Sequence, residues 1–228
     1  MLASGRALAC GVSGPDGVWS CSLEEHDEEL RPRWHLGVDA GYTATALSFG
    51  HGLRADEQRS AALASLAYAP TPRFSLQGSA GATLIGTLSL PGGRYDFDAG
   101  PSAALGASWH AIEGRPFLAF TSVLSFSAAT TRERAGAQRS AGYEAFDLRL
   151  GAAFGTTLFD ALSPYLIARI FGGPVLWRYQ GSAVTGTDVH HYQLGAGLAW
   201  RVSSRVDLFA EGVPLGEQAL SAGAAVAL

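Results

Sequence analysis

From Trp34 to the last residue the chain alternates between apolar side chains and small or polar ones, in about ten segments of strand length. Period two is the mark of a β-strand, whose successive side chains point to opposite faces. In RFSLQGSAGATL, residues 73–84, Phe74, Leu76, Gly78, Ala80, Ala82 and Leu84 form one series. Arg73, Ser75, Gln77, Ser79, Gly81 and Thr83 form the other. The polar series is too bland for the wet face of a soluble sheet, which carries charge. Charged residues make up only 16% of the 228, against about 25% in soluble domains. Small polar groups suit a narrow lumen, and the apolar series then faces lipid. There every backbone polar group must be bonded within the protein, so strands must close into a barrel. Helical spans are excluded, because the longest apolar run, FLAFTSVLSF at 117–126, is interrupted by Thr121, Ser122 and Ser125 and falls short of the roughly 18 to 20 residues needed. The predicted fold is all-β: a closed antiparallel up-and-down transmembrane β-barrel over residues 33–228, of about ten strands, behind a short N-terminal segment, 1–32.

The spacing of the connections agrees. SFGHGLRADE, SLPGGR, ATTRERAGAQRSAG, QGSAVTG and VPLGEQ are mostly longer and rich in Gly and charge, whereas APTP, AIEGR, GTTLFDALS and VSS are tighter. Longer loops at one end and short turns at the other are a property of outer-membrane barrels. Trp34, Phe74, Trp109, Phe117 and Trp200 fall near the short-turn end, and Tyr95, Phe97, Phe126, Tyr143, Trp177 and Tyr179 near the other. Two such rows read as interfacial aromatic girdles. In the fourth segment, 94–110, Tyr95 and Phe97 share the apolar parity of Leu105 and Trp109, opposite Asp96, Asp98, Ser108 and His110. The seventh, 164–179, is apolar on both faces, and only Arg169 argues for a lumen side.

At the N-terminus, MLASGRALA ends in a small-x-small pattern suited to signal peptidase but lacks the apolar h-region of an export signal. Cys10 and Cys21 bracket the turn sequence GPDG and are expected to form a disulfide in an exported chain. SLEEHDEEL, 22–30, has capping-box spacing between Ser22 and Glu25 and predicts one short helix. No metal site is expected, since two cysteines supply too few ligands. No cofactor is expected either: GSAGATLIG has the glycines of a phosphate loop but no following Lys or helix. All 16 basic residues are Arg, yet they are scattered and the net charge is -4, so nucleic acid is not an expected partner.

The alternation across about 33–228 resembles that of bacterial outer-membrane β-barrel proteins. The final residues, SAGAAVAL, are similar to that family's assembly signal, with Ser221, Gly223, Val226 and Leu228 in its pattern. Leu228 departs from the aromatic residue with which the family usually ends. The resemblance implies an outer membrane of the Gram-negative type, lipid as surroundings and the barrel-assembly machinery as a partner in biogenesis. It implies no activity and no oligomeric state.

Candidate lumen residues, by parity, are His35, Asp39, Arg73, Gln77, His110, Asp147, Arg149, His191, Gln193, Asp207 and Glu211. A barrel of about ten strands has a narrow or filled lumen, so the expected function is structural, or a narrow path for small solutes. A second reading comes from a motif. Asp96-Phe97-Asp98 and Asp188-Val189-His190 are similar to the DxD and DxH pairs of the omptin proteases, ten-stranded outer-membrane barrels with a rim active site. Carboxylates orienting a His as general base would activate a water there, although Asp188 and His190 share the parity of the lipid-facing Tyr192 and Leu194. A third reading is a surface-binding barrel that uses RERAGAQRS, 132–140.

Overall fold

The computed structural model describes residues 10–13 and 18–21 by their backbone, and 34–113, 115–134, 140–179 and 181–228. The helix expected over 22–30 lies outside the described residues, as do the side chains of Cys10 and Cys21. Two short strands, β1 (Cys10–Ser13) and β2 (Val18–Cys21), pair only with each other. The rest is one thirteen-stranded antiparallel sheet. Its strands are β3 (Trp34–Phe49), β4 (Leu53–Thr71), β5 (Phe74–Leu90), β6 (Gly93–Phe97), β7 (Gly100–Ile112), β8 (Phe117–Glu133) and β9 (Ser140–Gly155). They continue as β10 (Leu162–Gly172), β11 (Val175–Tyr179), β12 (Ser182–Asp188), β13 (Tyr192–Ser203), β14 (Val206–Gly216) and β15 (Gln218–Ala227). The pairings return on themselves: β15 lies beside β3 from Gln218↔Ala44 to Ala227↔His35, so the sheet is a ring.

The count of ten strands is therefore corrected to thirteen. The extra strands come from interruptions after Phe97, Gly172 and Asp188. β6 and β7 both pair with β5 in one unbroken register, from Gly86↔Phe97 to Thr83↔Gly100. β10 and β11 likewise share β9, with Pro174, which has no N–H to give the ladder, in the break between them. The connection VPLGEQ lies where expected: the last pair between β14 and β15 is Val213↔Ala219, and Leu215 and Gly216 continue the ladder with β13 instead. β14 runs to Gly216, which has φ 84°, and β15 starts at Gln218.

The outer face of the ring is apolar. Val38, Ile85, Leu105, Leu124, Leu166, Ile170 and Leu220 are all more than half exposed, an uncovered apolar surface that water-soluble domains avoid. On β8 the outward series Leu118, Phe120, Leu124, Phe126 spans nine residues, a height of about 20 Å at the usual rise and tilt and close to the apolar band of membrane barrels. Trp34, Trp109 and Trp200 point outward at the short-turn end, as expected of a girdle. Phe117 does not; it is buried inside.

Inside, several glycines make room for rings from neighbouring strands. A Cβ at Gly197 would fall within the ring of Tyr165, its cross-strand partner, and one at Gly223 within the ring of Phe209.

Candidate functional site

The lumen gathers polar side chains from distant parts of the chain, and it is filled in layers. Nearest the loop end is an apolar cap of Leu47, Phe49, Leu88, Tyr95, Phe97, Tyr143, Val175 and Trp177. Trp177 is only 1% exposed. Its ring meets Tyr95 edge-on at 5.0 Å, Phe49 at 5.7 Å and Tyr179 at 4.8 Å, while Phe97 meets Tyr143 edge-on at 4.9 Å. Burial of an indole or a phenol requires a partner for its polar end. Trp177 Nε1 donates to Thr131 Oγ1 at 2.9 Å, and Tyr143 Oη to Glu57 Oε2 at 2.7 Å.

This cap corrects the girdle expected at the loop end: Tyr95, Phe97, Tyr143 and Trp177 face the lumen, not lipid. For Tyr95 and Phe97 the cause is a change of parity along the chain. Opposite Ser60 and Ala61 the ladder of β5 skips Leu84, an added residue. A bulge of this kind turns the remainder of the strand over, so that its side chains exchange faces. The inward series of β5 accordingly changes from Ser75, Gln77, Ser79 and Thr83 to Leu88. Along the next line the break at 98–99 moves the inward set from Tyr95 and Phe97 to Ala104, Ser108 and His110.

Beneath the cap lie two ionic layers. In the first, Arg59 Nη1 donates to Ser127 Oγ at 2.9 Å and its Nε stands 3.5 Å from Glu57. Arg149 pairs with Asp147 through Nε, reaches Glu217 at 3.1 and 3.3 Å through Nη2, and lies 4.8 Å from the Phe171 ring centre. A small cavity of about 40 Å³ adjoins this layer, lined by Thr43, Arg59, Thr83, Ser102, Ser125 and Ser127 among others. In the second layer Arg169 grips Glu211 bidentately, at 2.7 and 2.9 Å, with Gln193 Oε1 at 3.4 Å. Tyr165 Oη donates to Glu211 at 3.4 Å. Bidentate guanidinium–carboxylate pairs fix geometry as well as charge.

At the short-turn end the inward groups are mostly neutral. Ser75 and Ser108 share a hydrogen bond of 2.6 Å, Thr157 and Ser163 one of 3.0 Å, and Arg201 stands 3.5 Å from Asp207. Of the lumen residues named from sequence, His35, Asp39, Gln77, His110, Arg149, Gln193, Asp207 and Glu211 are buried inside the ring, and Asp147 is half-buried. Two are corrected. Arg73 is exposed at the short-turn rim, 3.3 Å from Glu113, and His191 is exposed in the break between β12 and β13, against Phe171. Glu57, Arg59 and Glu217 were not anticipated. Glu57 and Arg59 share the inward parity of Ala61 and Leu63, which was the available signal, whereas Glu217 lies in what reads as a loop.

The DxD and DxH residues are not joined by any contact among the described residues. Asp96 faces outward and holds Arg134 through two hydrogen bonds of 2.9 Å; Asp98 holds Arg132 at 3.1 Å. Asp188 accepts from Thr45 Oγ1 at 3.0 Å, and His190 is exposed beside Tyr192. The break after Asp188 gives it the inward parity of Gly186, so the lipid-side parity expected for it is corrected. Within the assembly signal, Ser221 is buried inside, Val226 and Leu228 point outward, and Leu228 N donates to Trp34 O at 2.9 Å, tying the two ends of the barrel wall.

No family model matches the sequence, and no curated protein matches it. Solved structures do match in shape. The outer membrane protease OmpT from Escherichia coli is 10% identical, with 91% of this chain and 100% of that chain covered at a TM-score of 0.54. The translocator domain of the autotransporter NalP from Neisseria meningitidis is 13% identical, with 85% and 88% covered at a TM-score of 0.48. The β domain of the Bordetella autotransporter BrkA is 14% identical, with 85% and 99% covered at 0.47. The ring of pairings, the apolar outer face and the likeness to OmpT agree that this chain has the fold of an outer-membrane β-barrel.

Proposed function

We propose that the protein is a closed, structural barrel of the bacterial outer membrane, surrounded by lipid and inserted by the barrel-assembly machinery. The observation that carries this reading is the pair Arg169–Glu211, whose side chains are 2% and 1% accessible at the middle of the lumen. A conducting path needs its charged groups open to water, and these are closed off from it. The aromatic cap adds an apolar constriction of the kind that stops ions by dewetting. The outward apolar face supports residence in a membrane. In the oxidising periplasm Cys10 and Cys21 join as a disulfide.

The test is single-channel recording of the refolded protein in a planar bilayer, with heat-modifiable migration as the check on folding. The expected result is a silent membrane. Discrete conductance steps from folded protein would overturn the closed reading in favour of a narrow solute path, and steps altered by changing Asp147 or Arg149 would place that path along the first ionic layer.

A further inference from the structure

The hairpin of β1 and β2 has a definite seat. The backbone of β1 lies against β3, β4, β5 and β7, and that of β2 against β13, β14 and β15. These seven strands are consecutive around the ring. Adjacent strands stand about 4.8 Å apart, so a two-stranded hairpin on the outer wall would reach only two or three of them. From the interior it reaches β7 and β13 together. On the interrupted lines it approaches β7 and β13, the halves that end in short turns, and so it lies at the short-turn end.

Burial at that end points the same way. Ser108 and Ser163 are 1% exposed, His110 3% and Ser75 4%, although they stand close to the ends of their strands. Inward hydroxyls beside an open mouth would be wet.

The register adds chemistry to the placement. Cys10 and Cys21 are directly opposed partners in the antiparallel ladder. Such partners have Cα atoms about 4.5 to 5.5 Å apart, inside the range of about 4.4 to 6.8 Å that a disulfide spans.

We propose that the N-terminal hairpin is a stopper for the short-turn mouth, held in shape by a Cys10–Cys21 disulfide, and that cutting this bond loosens the stopper from its seat. Its redox setting rests on the outer-membrane reading, which places this mouth in the periplasm. The bond forms by exchange with the disulfide of a periplasmic dithiol oxidant. The two thiols lose two protons and two electrons, one S–S bond forms between them, and the oxidant leaves as a dithiol.

The experiment uses the full chain in outer-membrane vesicles, folding being checked throughout by heat-modifiable migration. First, free thiols are counted by alkylation and mass spectrometry before and after reduction, with none expected before and two after. Second, a reporter, Ser75→Cys, is alkylated in the native background and in one carrying Cys10→Ser and Cys21→Ser. The expected rise in reporter labelling without the disulfide is about tenfold, equivalent to about 1.4 kcal/mol in the opening equilibrium. A chain lacking residues 10–21 should label at least as fast as the double serine variant. Free thiols in folded, unreduced protein would sink the disulfide. Equal labelling in all three backgrounds would sink the stopper. Neither outcome touches the closed-barrel reading, which conductance decides.

Discussion

Glu211→Gln removes one charge from the most deeply buried pair in the lumen, and its cost follows from the geometry. The carboxylate accepts from both terminal nitrogens of Arg169, at 2.7 and 2.9 Å, and from Tyr165 Oη at 3.4 Å. The amide keeps one acceptor oxygen and leaves the guanidinium, 2% accessible, without its counter-charge. Breaking a buried ion pair from one side costs about 3 to 5 kcal/mol. Arg169→Met should cost a similar amount by stranding the carboxylate. Replacing both residues with Met and Leu removes both desolvation penalties, and such exchanges range from neutral to about 1 to 4 kcal/mol stabilising. The double variant should therefore be more stable than either single one, not less. The assay is reversible urea unfolding in lipid vesicles, followed by tryptophan fluorescence, for the cycle of the natural pair, Arg169→Met, Glu211→Leu and the double variant, with Glu211→Gln measured beside them. Losses that simply add, with no coupling energy in the range of about 0.5 to 3 kcal/mol found for contacting residues, would show that the pair does not hold the lumen together. The same double variant should stay silent in a planar bilayer, because its side chains still fill the layer.

Trp177→Ala empties the centre of the aromatic cap and should cost about 3 to 5 kcal/mol in the same unfolding assay; a loss below about 1 kcal/mol would mean that the cap is not packed as described. Thr131→Val keeps the shape but leaves the indole N–H of Trp177 without its acceptor, at about 1 to 3 kcal/mol. Pairing it with Trp177→Phe should recover most of that loss. Gly197→Ala sets a methyl against the ring of Tyr165 and should destabilise by about 1 to 3 kcal/mol, a penalty that disappears when Tyr165 is first changed to Leu. Leu105→Arg on the outer face should cost about 2 to 4 kcal/mol if lipid covers it at mid-depth. An unchanged unfolding midpoint would refute membrane contact there.

The outer face was legible in sequence because lipid permits few alternatives. Leu36, Val38 and Tyr42 on β3, and Tyr192, Leu194 and Leu198 on β13, stand outward as their alternation predicts. What alternation does not carry is a change of phase. Leu84 looks like one more member of its series, and nothing in its chemistry marks it as the added residue that turns the rest of β5 over. Tyr95 and Phe97 lie beyond a similar break, so an aromatic pair at the right height for a girdle faces inward. The seventh segment was ambiguous for a physical reason: Ile167, Phe171, Val175 and Trp177 fill a lumen that is apolar on this side, so both faces of the strand carry the same residue types. Glu217 was hidden because it lies in the turn between Val213 and Ala219, where a charged residue reads as solvent-facing, whereas this one is buried.

The edge of β3 is shared. Its first part, His35 to Ala44, is covered by the last strand of the chain, whereas Leu47, Ser48 and Phe49 are covered by β12. The seam is therefore stitched by two separate strands, β12 and β15, both far along the chain from β3. Both stitches join residues separated by well over a hundred positions in sequence, contacts whose loop-closure entropy must be met before they give anything back. Closure is thus a late and slow event that waits for β12 and β15, and until then β3 carries an open edge that assembly must protect from pairing with other strands.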